Sequence, residues 1–260
     1  MLFEAKKLRN FGVITSDGEL GKIDDVYMDE DQWVIRYLVV NRKPLLPGGK
    51  VLVSPIAVER MDINGQTIHL NVTKEELEEA PGKEEAEPIT RKKELELHHH
   101  FGYGYYWPAQ GMWGSFPYPH QLRVEAPHHQ RPQELPNEEE IKVRSLKEMT
   151  GDWSGYDVEG SDGDIGTIDD VIVEDDTWNI RYISVDTGRL FSTGHAVLSS
   201  SWILHTEDEE KKVRVKMARH EVQAAPEYVP GQPLDREFEE RLFDHYDQEK
   251  YWEAEAGKSE

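Results

Sequence analysis

One stretch of this sequence occurs twice. Residues 21–40, GKIDDVYMDEDQWVIRYLVV, return as GTIDDVIVEDDTWNIRYISV at 166–185. Between positions 13 and 40, 15 of 28 residues are identical to those at 158–185, without a gap. Such a self-match constrains the fold strongly, because a duplicated unit must bury the same apolar positions in each copy. The shift of 145 pairs Ser16-Asp17-Gly18 with Ser161-Asp162-Gly163, Gly21 with Gly166, and Asp24-Asp25 with Asp169-Asp170. It also pairs Trp33 with Trp178 and Ile35-Arg36-Tyr37 with Ile180-Arg181-Tyr182.

The register persists where identity thins. ITRKKELELHHHFGYGYYW (89–107) lies over LDREFEERLFDHYDQEKYW (234–252), matching Arg91 with Arg236, Glu94 with Glu239, and Tyr106-Trp107 with Tyr251-Trp252. This predicts a first repeat with a helical and aromatic tail over 1–107 and a second repeat with a C-terminal helix over 146–260. A flexible linker rich in Pro, Gly and acidic residues is predicted over 108–145.

Within each repeat the apolar period is mainly two. GVITSDGELGKIDDVYM reads as strand, Asp-Gly turn, strand; WVIRYLVV follows an acidic turn, and Asn64-Gly65 signals a later hairpin. The fold class expected is mainly β: two small antiparallel barrels, each followed by short α-helices, closed so as to remove exposed edges. Helix starts are marked by Thr73 with Glu76, a capping-box spacing that Ala218 with Glu221 only half preserves. Thr90 and Asp235 are the expected caps of the second helix in each repeat.

Composition narrows the function classes. The formal net charge of -22 argues against nucleic-acid binding, which needs clustered Lys and Arg on phosphates. The absence of Cys excludes disulfides and thiolate nucleophiles and fits a reducing compartment. No run approaches the ~20 apolar residues of a membrane span, and the N-terminus lacks a signal-peptide core. A cytoplasmic protein without membrane insertion is expected.

The run Ser16-Asp17-Gly18, Gly21, Ile23, Asp25-Val26, an acidic turn and WVIRYLVV resembles the PRC-barrel family, over about 5–80 and 150–225. That family takes its name from the H subunit of the photosynthetic reaction centre and includes a domain of a ribosome maturation factor. The tail DREFEERLFDHY…YW is similar to that of soluble bacterial tandem PRC-barrel proteins, often labelled H-subunit-like. The resemblance implies a non-catalytic barrel that docks on other macromolecules. It makes Gly18, Gly21, Asp25, Arg36, Gly163, Gly166, Asp170 and Arg181 structural positions, with Arg36 or Arg181 as a cross-strand ion partner for Asp25 or Asp170.

Each chemically suggestive group has a plain structural alternative. Neighbouring strand residues point to opposite faces, so Asp24 and Asp25 are expected not to form a catalytic pair; one is solvated and the other accepts backbone N–H groups. SDGELG lacks the helix and Lys-Ser/Thr of a phosphate loop, so its glycines are expected to serve a hairpin. His98, His99, His100, His128 and His129 are weak metal candidates without a characteristic ligand spacing, and no metal site or cofactor is expected. The aromatic residues Trp33, Trp178, Tyr106, Trp107, Trp113, Phe116, Tyr251 and Trp252 are the candidate interface, since aromatics dominate contact anchors. Residues 108–119 stand out because they have no counterpart in the second repeat.

The function expected is a non-enzymatic scaffold or adaptor, in a stress-related setting, that binds protein partners or itself as a homo-oligomer or intrachain pseudo-dimer. The alternative is an H-subunit-like accessory role in a photosynthetic reaction centre or electron-transfer assembly. A hydrolase built on the aspartates or a metal is a third, with only composition behind it.

Overall fold

The computed structural model describes residues 1–42, 49–81, 89–109, 111–124, 141, 143–151, 155–188 and 194–256. Its contacts divide into two units. The first comprises Met1, Ala5–Lys147 and Glu174–Ile180; the second comprises Leu2–Glu4, Glu148–Val173 and Arg181–Glu260.

The chain is mainly β, with two seven-stranded sheets. It opens with a short strand, β1 (Leu2–Glu4), followed by β2 (Gly12–Thr15), the long β3 (Gly18–Asp29) and β4 (Val34–Arg42). Strands β5 (Lys50–Val53), β6 (Val58–Asp62) and β7 (Thr67–Leu70) complete this run. Helices α1 (Lys74–Glu79), α2 (Arg91–Phe101) and α3 (Gln121–Val124) come next, then β8 (Val143–Ser145) and α4 (Leu146–Met149). The pattern then returns as β9 (Asp157–Gly160), β10 (Gly163–Glu174), β11 (Ile180–Asp186), β12 (His195–Ser199), β13 (Ile203–Glu207) and β14 (Lys212–Val215). Helices α5 (Arg219–Gln223), α6 (Arg236–His245) and α7 (Tyr251–Ala256) close it.

The sheet orders correspond strand for strand: β5-β4-β3-β2-β7-β6 in one and β12-β11-β10-β9-β14-β13 in the other. The long strand of each carries one further neighbour, β8 on β3 and β1 on β10. Pairing is mostly antiparallel. The exceptions are β2 with β7 and β9 with β14, which are parallel, a departure from the all-antiparallel expectation. In each case the second strand of a hairpin, not the first, lies beside the repeat's opening strand.

The long β3 ladder shifts register between Ile23 and Asp25 and again between Tyr27 and Met28. These irregularities leave Asp24 on β3 and Arg36 on β4 without a rung. A bulge of this kind bends a strand and increases its twist, so a 12-residue strand can wrap its neighbours. The apolar positions of the period-two pattern are the core. Val34, Leu38, Val40, Val51 and Ile68 are buried in the first sheet, and Ile180, Ile183, Val185, Val197 and Leu198 in the second. Burying one such side chain contributes about 1.5–3 kcal/mol. Helix α2 covers part of the first sheet, placing Leu97 with Tyr37, Val39 and Leu52.

The helix starts follow the sequence signals. Thr73 Oγ1 accepts from the Glu76 amide at 3.2 Å while Glu76 Oε2 accepts from the Thr73 amide at 2.7 Å, a complete capping box. At α5 Ala218 has no hydroxyl, yet its amide still donates to Glu221 Oε2 at 2.6 Å. The Ser-Asp-Gly aspartates add a second cap. Asp17 Oδ1 accepts from the Lys74 amide at 3.0 Å, and Asp162 accepts from the Arg219 amide.

Candidate functional site

The most chemically loaded cluster in each unit is a buried tyrosine–glutamate lock. Glu94 lies on the inner face of α2, in step with Leu97 and His98, and has no solvent exposure. Its Oε1 accepts from the Tyr37 hydroxyl at 2.8 Å and from the Tyr106 hydroxyl at 2.7 Å, while Oε2 is paired with Arg91. Arg91 also donates to the Tyr106 oxygen at 3.1 Å. Burial raises the Glu94 pKa despite Arg91 and both hydroxyls, and burial together with Glu94 drives the Tyr37 phenol far above its ordinary range.

The second unit repeats the arrangement. Glu239 Oε1 accepts from Tyr182 at 2.5 Å and from Tyr251 at 2.8 Å, and Oε2 pairs with Arg236 at 3.0 Å. Burial raises the pKa of both phenols, with Glu239 the next cause. In both locks the carboxylate joins a strand residue to a helix residue and to an aromatic tail. Both oxygens of each carboxylate are engaged by the protein itself, so the geometry fastens elements together and presents no free base.

A cationic frame adjoins each lock. The Arg36 guanidinium stacks over the Tyr106 ring at 3.8 Å and the Trp113 ring at 4.9 Å, and Arg91 lies 4.9 Å from the Trp107 ring. In the second unit Arg181 stacks over Tyr251 at 4.2 Å and Arg236 over Trp252 at 4.1 Å. Such stacks contribute about 0.5–2 kcal/mol each, more when desolvated.

The residues singled out from sequence fall into these places. Gly18 and Gly163 sit at φ of 131° and 140° in their Ser-Asp-Gly turns, which L side chains rarely adopt. Gly21 is a ladder residue between Val13 and Arg42, and Gly166 packs so tightly that a Cβ would come within 2.1 Å of the Asp186 carbonyl oxygen. Asp25 is buried; it accepts from its neighbour Val26 N at 2.9 Å, from Lys147 N at 3.3 Å and from the Ser145 hydroxyl. Asp24 is partly exposed and pairs with Lys50 and Lys147, and Lys147 holds its pKa low. Asp170 is likewise buried and accepts from Val171 N at 2.7 Å. The doubled aspartate is therefore one buried backbone acceptor beside one partly exposed ion-pair partner.

The expected Asp25–Arg36 pair requires correction. Arg36 pairs instead with Asp29 at 3.2 Å and with Gln32 at 2.7 Å. The bulge that leaves Arg36 off the ladder sets it beside the turn end of β3, nearer Asp29 than Asp25.

Trp33 and Trp178 occupy the tight turns after the acidic residues, with φ of 50° and 59°, and both are buried. Within the first unit the two turns pair through their backbones. Ile35 N donates to the Trp178 carbonyl at 3.0 Å and Ile180 N to the Trp33 carbonyl at 2.7 Å. Tyr106 and Trp113 are buried, whereas Trp107, Phe116, Tyr251 and Trp252 are half-buried.

The histidines separate. His98 is buried among Tyr103, Tyr105, Tyr106 and Trp107, contacts the Gly104 carbonyl at 2.7 Å, and is pushed down to about 4 by burial. His100 Nε2 meets the Glu76 carbonyl at 2.7 Å. His128 and His129 lie outside the described residues, as does the whole stretch 125–140 of the expected linker. Among the described residues no three His, Asp or Glu side chains are grouped to hold a metal ion. None of their helices is long and apolar enough to cross a membrane.

The locks were not foreseen as sites, although Glu94 and Glu239 were seen to match. The signal was a glutamate in an apolar helical stripe, with Leu97, His98 and Phe101 at i+3, i+4 and i+7. A carboxylate at such a position needs a partner on the sheet.

Residues 1–77 match the PRC-barrel domain. That match covers β1 to β7 and most of α1. No curated protein matches the chain.

Proposed function

We propose that the chain is a non-enzymatic interaction module, a scaffold or adaptor that binds a protein partner or another copy of itself. The carrying observation is that the ionisable groups best suited to chemistry, Glu94, Glu239 and their tyrosines, are engaged by the protein's own side chains in both units. A base that must accept a substrate proton needs a free lone pair within reach of that substrate. The PRC-barrel match over 1–77 supports the same reading, since the resemblance implies docking rather than turnover. A compartment reached without membrane insertion, the cytoplasm, suits it.

Cross-linking in the native cell followed by affinity capture of the full chain tests the proposal. A protein recovered in fixed proportion to the chain is the expected result. Recovery of the chain alone, together with a small-molecule conversion that depends on Glu94 or Asp25, would overturn it.

A further inference from the structure

Each long strand takes its last neighbour from the segment that leads into the other repeat. In sequence β8 leads into the second repeat, yet it belongs to the first unit and pairs with β3. Strand β1 leads into the first repeat, yet it belongs to the second unit and pairs with β10. The β8 rungs are Tyr27 with Ser145, Met28 with Arg144 and Asp29 with Val143. The doubled aspartate fastens this strand. Asp25 accepts from the Ser145 hydroxyl and the Lys147 amide, Asp24 pairs with the Lys147 ammonium at 2.9 Å, and Arg144 pairs with Glu30. In the second unit Glu4, at the end of β1, accepts from the Tyr228 hydroxyl at 2.9 Å and from the Gly231 amide at 2.7 Å.

The two lead segments share one design. VRSLKEM (143–149) lies over LFEAKKL (2–8) at a shift of 141. Each is a three-residue strand that runs straight into one helical turn, α4 in one case and Ala5–Leu8 in the other. Both turns bury their apolar residues, Leu146 and Met149 in the first and Ala5 and Leu8 in the second. The ladder bonds are made by backbone, and the fastening side chains lie on the lead segment or in the unit that receives it. None of these contacts depends on which copy of the chain supplies the segment. A covalent tether favours the chain's own segment only by raising its local concentration.

We propose that β3 and β10 are the sites through which two copies of this chain associate, each long strand receiving the lead strand of the other copy in place of its own. Such an exchange creates no new surface. A chain of net charge -22, which repels its copies at long range, therefore still pairs through contacts its own fold already makes. This site rests on the reading of the chain as an interaction module and names its partner as a second copy.

The sequence holds no Cys, so engineered thiols report the pairing without interference. Tyr27→Cys and Ser145→Cys place thiols on one antiparallel rung, where Cα atoms stand about 4.5–5.5 Å apart, within reach of a disulfide. The full chain carrying both is the control: refolded from urea in dilute solution with oxidised glutathione, it closes the bond within itself. The two single variants are then unfolded, mixed and refolded together at about millimolar concentration, comparable to what a flexible tether supplies. The expected result is a disulfide between residue 27 of one chain and residue 145 of another, identified by peptide mass, at a yield that rises with concentration. No such bond in the mixture, from a double variant that closes, overturns the exchange; a double variant that does not close overturns the rung on which it rests. Capture from native cells separates the two claims. If the mixture stays unbonded but a different protein is recovered with the chain, the exchange is wrong and the adaptor reading stands. If neither another protein nor a second copy is recovered, both fail.

Discussion

Tyr37 donates its hydroxyl to Glu94 at 2.8 Å across 57 positions of sequence, and Tyr182 donates to Glu239 at 2.5 Å across the same interval. This relationship fastens a strand to the helix that follows its sheet. It places a carboxylate where hydrophobic burial alone would not hold one, and each further ligand, from Tyr106 and Arg91 or from Tyr251 and Arg236, offsets the desolvation.

Glu94→Ala leaves two buried hydroxyls and the Arg91 guanidinium without their acceptor. A loss of about 3–5 kcal/mol is expected by urea denaturation. Glu94→Gln retains an acceptor oxygen and costs less, about 1–3 kcal/mol. Glu239→Ala should behave like Glu94→Ala, since Glu239 holds the corresponding three partners.

His98 sets an acid limit on stability. The unfolded histidine titrates near 6.5 and the folded one at about 4, so between those values the unfolded state binds the additional proton. The stabilisation is present above 6.5 and is lost as pH falls toward 4, by about 3 kcal/mol. Glu94 acts in the opposite sense. Its raised folded pKa favours the folded state in acid, and that contribution disappears as pH rises through the folded value. His98→Phe introduces the residue found at the matching position, Phe243, which already packs 5.2 Å from Trp252. The variant's stability, measured from pH 7 to 4, should fall less steeply than that of the unaltered chain.

The two neighbouring aspartates should separate cleanly. Asp25→Ala removes the acceptor of two backbone amides and the Ser145 hydroxyl, at an expected cost of about 1–3 kcal/mol. Asp24→Ala removes only partly exposed lysine pairs and should change stability by about 0.5 kcal/mol or less. Equal effects in thermal denaturation would contradict the assignment.

Gly166→Ala drives a methyl group into the Asp186 backbone, which cannot swing aside as a side chain would. A loss of about 1–3 kcal/mol is expected. Gly188→Ala is a control for space, since nothing lies within 4 Å of its Cβ position and only its φ of 56° opposes the change.

Much of this fold was legible because its signals are local. The period-two runs gave β3, β4 and their counterparts, and Thr73 with Glu76 gave the start of α1. The turn before β4 followed from its acidic residues, although Trp33 itself belongs to that turn and not to the strand. What escaped depends on register and on distant contacts. Nothing local reveals that a bulge takes Arg36 off its ladder and turns it from Asp25 to Asp29. Nothing local shows that β7 rather than β6 lies beside β2. Tyr37 and Glu94 were each visible in the duplicated sequence, but their meeting depends on where α2 lands. Trp113 belongs to a segment read as linker, because what seats it, the bond from Arg36 to the neighbouring Met112 carbonyl, is made across 76 positions.

The central claim is that this chain works by holding another macromolecule. Its mass in native-cell extract, measured by size-exclusion chromatography with light scattering at its natural abundance, tests that claim most directly. The account predicts a particle clearly heavier than the 30.1 kDa of one chain. Elution of the chain at the mass of a single copy, unchanged after cross-linking, would contradict it.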